Sequence, residues 1–125
     1  MRESTADPAI PAVLDRAADV IEHNGIARND YYTEHPHKNP RTCPVCALGA
    51  IAIAAGFDPS AWEMADYQGG EFAPAVAAAD ALIDFLGLDP DKDYDETIGF
   101  WSDSLPPETV VSELRAAARV VASRG

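Results

Sequence analysis

Apolar residues recur along this chain at helical rather than strand spacing. Ile10, Val13, Leu14, Ala17 and Ile21 fall three or four positions apart, as one face of an α-helix requires. The spacing predicts a first helix from Pro8 or Ile10 to His23. Asp7 ahead of Pro8 supplies an N-cap and a first-turn proline. Asn24-Gly25 supplies a stop, because both residues tolerate the left-handed backbone. A second helix is expected from Thr42 or Cys43 to Gly56, capped by Thr42, with Pro44 in its first turn. No residue from Val45 to Ala55 is charged or strongly polar, and a helix apolar all round is a buried one. Its small residues, Ala47, Gly49, Ala50, Ala52, Ala54 and Ala55, let neighbours approach closely, so this helix is expected at the centre of the fold.

A third helix is predicted from about Pro74 to Leu86, with Val76, Ala79, Leu82, Ile83 and Leu86 on one face and Gly87 as its terminator. The last starts after Ser104 at Pro106-Pro107 and buries Val110, Val111, Leu114, Ala117, Ala118 and Val121. Arg115, Arg119 and Arg124 lie towards its C-terminal end, where cations suit the helix dipole. Between these elements, residues 26–42 form a long polar and aromatic connection interrupted by Pro36 and Pro40. Asp58 to Trp62 reads as a short helical turn, Gly69-Gly70 as a break and Asp89 to Glu96 as an Asp-rich loop. Thr97 to Trp101 reads as a short extended segment or a tight turn. The expected fold is all-α: one domain over 1–125, a compact bundle of four main helices around a central Ala/Gly-rich helix, with a long His-containing loop and flexible residues 1–7.

With 47% apolar and 24% charged residues in 125, the composition is that of a globular domain. The net charge of −12 changes the picture, because it is unevenly placed. From Asp58 to Asp103 there are twelve acids and one base, Lys92, whereas the remainder carries nine acids and eight bases. Such a balance excludes direct binding to nucleic-acid backbones and to anionic membranes, which need positive charge. No apolar stretch reaches the roughly 20 residues of a spanning helix, and the start has no apolar signal region. A cytoplasmic protein is the expectation. The acidic half favours a basic protein partner. Tyr31, Tyr32, Trp62, Asp66, Tyr67, Asp89, Asp91, Asp93, Asp95 and Glu96 are the candidate contacts, since Trp and Tyr are enriched in binding hot spots. The bland alternative is solubility. Trp101, next to Ile98 and Phe100 and just before a core helix, is expected to close the core. The alternating aspartates are not a calcium loop: Tyr94 stands where the EF-hand needs Gly and Phe100 where it needs Glu.

Candidate chemistry is concentrated in His35-x-His37 and Cys43-Pro-Val-Cys46. Two histidines and two cysteines form a zinc-ligand set, and zinc is the one cofactor the sequence suggests, although the spacing is not that of a standard finger. The alternative is solvated histidines and a buried Cys46. A redox reading rests on the Cys-x-x-Cys step and on the lowered pKa of thiols at helix N-termini. It lacks the preceding strand that makes the motif informative. A nucleophilic reading makes Cys46 or Cys43 the nucleophile, His35 or His37 the base and Asp103 the orienting group. Sequence alone fixes no geometry for these groups, and no catalytic residue is assigned.

Four stretches carry a resemblance: Val13-Leu14, Ala17-Ala18 and Ile21 with Gly25; Cys46-Ala-Leu-Gly-Ala-Ile51; Phe100-Trp101-Ser-Asp103; and Leu114-Arg-Ala-Ala117. Together they resemble a family of small helical domains of unknown function from actinobacteria and their phages, marked by Cys-Ala-Leu-Gly-Ala and a later Trp-Asn-Asp. The resemblance covers most of the chain and implies a fold and a setting without an activity. It makes Cys46, not Cys43, the family cysteine. It also implies that Cys46, Gly49, Trp101 and Asp103 belong to one structural unit, a small-residue helix under a Trp corner. Ser102 stands where that family has Asn, which weakens a catalytic role for the corner.

Overall fold

The computed structural model describes residues 9–26, 45–57, 62 and 72–124, and over these the chain is all-α. Helix α1 spans Ala9–Asn24, α2 Ala47–Ala54 and α3 Ala73–Leu86. A π-helical turn, Asp95–Gly99, runs directly into the short α4, Phe100–Asp103, and α5 spans Pro107–Arg124. The two long amphipathic helices follow their apolar spacing. Helix α1 buries Val13, Leu14, Ala17, Ala18 and Ile21, and α5 buries Val110, Val111, Leu114, Ala117, Ala118 and Val121. These faces pack against each other, and α2 lies against α1, α3 and the π-turn. Helix α2 is buried continuously from Ala47 to Ala52, as its lack of a polar face requires. On α3 the buried stripe is Ala75, Ala78, Ala79, Leu82 and Ile83, with Val76 and Leu86 half-buried at its margins.

The start of α2 differs from the sequence expectation. Val45 forms a parallel bridge with Ile26, and its N–H donates to the Gly25 carbonyl at 3.2 Å. Cys46 is extended, with φ −80° and ψ 176°. Residues held in that extended pairing cannot be helical, so the helix begins at Ala47 rather than at Thr42 or Cys43; Thr42, Cys43 and Pro44 lie outside the described residues. Its other end matches the expected glycine stop: Gly56 is left-handed at φ +98°, and the Phe57 N–H reaches back to the Ala52 carbonyl at 2.9 Å.

Two further expectations are corrected. Thr97 to Trp101, expected as a short extended segment or a tight turn, lies within continuous helical structure from Asp95 to Asp103. Thr97 starts the inward face, its hydroxyl donating to the Asp93 and Tyr94 carbonyls at 3.1 and 3.2 Å. Thr97, Ile98 and Ser102 are buried on that face. Arg115 does not serve the end of its own helix. It crosses to α1, where Nη2 lies 2.7 Å from Asp19 and 2.8 Å from Glu22, and Nη1 3.6 Å from Asp15. At 31% side-chain exposure this network is partly screened, so its contribution is about 1 kcal/mol.

Candidate functional site

The N-terminus of α2 is where the two sequence motifs meet. The Ala47 N–H donates to Ser102 Oγ at 3.1 Å, with both residues fully buried. Ser102 thus satisfies one of the orphan amides of a helix start, a role the sequence reading missed by treating it only as a departure from Asn. The available signal was the helical step from Ile98 to Ser102. Trp101 and Asp103 flank it, half-buried, and Gly49 is buried in α2.

Cys46 sits beside this contact and is buried. Burial pushes its thiol up to about 11 from 9.0; the amides of Gly49 and Leu48 oppose the shift, and the charges of Asp103 and Asp95 add to it. The lowering expected of a thiol at a helix N-terminus is therefore reversed, because loss of water outweighs the amides. At neutral pH Cys46 is a protonated thiol, which counts against the nucleophilic and redox readings. The stability linked to this group is present below the unfolded value and is lost as pH rises through about 11. Cys46 is expected to resist a thiol reagent in the native protein at neutral pH and to react fully in denaturant, as read by mass mapping of its peptide. Ready native modification would restore the thiol reading. His35, His37 and Cys43 lie outside the described residues. Among the described residues no group of three or more His, Cys, Asp or Glu side chains is placed to hold a metal.

The acidic half forms an exposed edge along α3, the following loop and the π-turn. Asp80, Asp84, Asp89, Asp91, Asp93, Asp95 and Glu96 are all exposed. Lys92 is the one base between residues 72 and 103. The loop is locally organised: Asp89 Oδ1 accepts from the Asp91 N–H at 2.9 Å, and the Asp93 carbonyl accepts the Glu96 and Thr97 amides at 3.0 and 3.1 Å. Asp80 accepts the Tyr94 hydroxyl at 2.9 Å.

Trp62 is not an exposed anchor, as the sequence reading proposed. It is buried, and its indole N–H donates to the Leu48 carbonyl at 2.7 Å. Its ring packs 4.8 Å from Phe72 and 5.0 Å from Tyr94, with Phe57 edge-on to Phe72. Tyr31, Tyr32, Asp66 and Tyr67 lie outside the described residues. Among the described residues, the aromatic that faces solvent is Phe100, 66% exposed.

Fold and surface define a small all-α domain with a buried cap at its central helix, a neutral thiol at Cys46 and an acidic outer edge. The chain belongs to a family of unknown function, DUF6197, whose model matches residues 5–123. No curated protein and no solved structure matches it. Among the described residues, no helix is long and apolar enough to cross a membrane.

Proposed function

We propose that this chain is a non-enzymatic accessory domain, from an actinobacterial or phage setting, that binds a basic protein in the cytoplasm through residues 58–103. The observation that carries this reading is the run of exposed carboxylates from Asp80 to Glu96, opposed only by Lys92. Such a surface steers a cationic partner and repels nucleic acid. The test is binding of a labelled oligolysine peptide to the full chain across a salt series. Affinity is expected to fall about tenfold or more as salt rises from about 0.05 to about 0.5 M, because exposed charge is screened. Neutralising Asp89, Asp91 and Asp93 to Asn weakens it further. Salt-independent binding, or none, removes the reading.

A second reading is a zinc-stabilised domain using His35, His37, Cys43 and Cys46. It is favoured by the Ile26–Val45 bridge, which returns the His-bearing segment to the residue beside Cys46. One zinc per chain, lost on replacing Cys43, supports it; a metal-free, folded protein indifferent to a chelator removes it.

A further inference from the structure

We propose that the outer face of the π-turn and α4, centred on Phe100, is a docking site for an arginine side chain of the basic partner, an inference that rests on the reading above. The phase of this short helix sets the face. Thr97, Ile98 and Ser102 turn inward, while Asp95, Glu96 and Phe100 are exposed and Asp103 is half-exposed. The Phe100 N–H bonds the Asp95 carbonyl across the π-turn, so Asp95 lies one turn below the ring. Glu96 and Asp103, four residues before and three after, share its side of the helix. A large apolar ring at 66% exposure thus shares its side of the helix with carboxylates. No Lys, Arg or His occurs from Asp93 to Ser104.

The chemistry of that face selects its occupant. The face of an aromatic ring attracts cations, and neighbouring carboxylates deepen the attraction. A guanidinium is planar and weakly hydrated, so it can stack on Phe100 while its N–H groups donate to Glu96. A lysine ammonium is compact and strongly hydrated and gains less from the ring. A neutral apolar anchor would take water from the carboxylates and return no hydrogen bond. A second copy of this chain would bring another net charge of −12 against the same face.

Fluorescence anisotropy of the full chain with oligoarginine and oligolysine peptides of equal length tests the proposal. The wild type is expected to prefer the arginine peptide. Phe100→Ala is expected to weaken that peptide about threefold to fivefold, the size of an exposed cation–π contact, while leaving oligolysine binding unchanged. Phe100→Tyr keeps the preference, and Glu96→Gln, which removes one charge from the acidic surface, weakens the arginine peptide more than the lysine peptide without touching the ring. Equal affinity for both peptides, or an equal loss for both in Phe100→Ala, overturns the Phe100 site while the acidic reading stands. Failure of both peptides to bind overturns both. An unchanged thermal midpoint confirms that Phe100→Ala is folded; should it shift, Glu96→Gln decides.

Discussion

Replacing Leu48 by alanine is expected to lower the unfolding free energy by about 3 kcal/mol, the middle of the range for buried leucines. Leu48 is fully buried, in a helix that runs only from Ala47 to Ala54. A helix of that length has no stability of its own in water and exists through what it touches. Its neighbours are α1, α3 and the π-turn, so a cavity at Leu48 opens in the middle of the bundle. The Leu48 carbonyl still accepts the Trp62 indole, so the loss isolates side-chain packing. Urea unfolding measures it, and the thermal midpoint should fall by about 10 °C or more. A loss below about 1 kcal/mol would show that α2 is not the centre of the core.

Ser102→Ala is the second large effect, at about 2 kcal/mol, and its origin is different. The hydroxyl is the acceptor for the Ala47 amide at a point with no solvent access. Removing it forfeits a modest hydrogen bond and leaves a buried donor unpaired, and the second cost is the larger. Ser104→Ala is the internal control. That hydroxyl donates to the Phe100 carbonyl at 2.6 Å, within its own exposed turn, and water can replace it. Its expected cost is within about 0.5 kcal/mol. Denaturant titrations of the two variants decide the matter, and equal losses would mean that Ser102 does not cap α2.

What could be read from the sequence follows from how local its cause was. The buried faces of α1 and α5 were legible because each helix is long and amphipathic and carries its own periodicity. The stop at Gly56 was legible because a left-handed glycine is a local requirement. The start of α2 was not, because Ile26 sets it from a distant part of the chain. Asp95 to Asp103 was hidden by its shortness, its acidic beginning and Gly99, although Thr97, Ile98, Trp101 and Ser102 already stand at helical steps. That omission also hid Phe100, whose exposure follows from the phase of the missed helix. Trp62 was misplaced because its burial depends on Phe72 and Tyr94, which sequence spacing does not bring near it. For Cys46 the local rule pointed the wrong way, since the position at a helix start was visible and the depth of burial was not.

The bridge between Ile26 and Val45 carries an evolutionary consequence. The chain leaves the described core and rejoins it one hydrogen bond away, from Gly25 to Val45. The helices on either side are therefore registered to each other without reference to how many residues lie between. Lengthening a loop whose ends are already joined costs only about 0.6 kcal/mol per doubling. A change in the number of residues between Ile26 and Val45 therefore leaves the bridge that registers α1 and α2 in place. Among relatives, insertions and deletions should gather there, and it is the natural place to splice in a tag or a second domain.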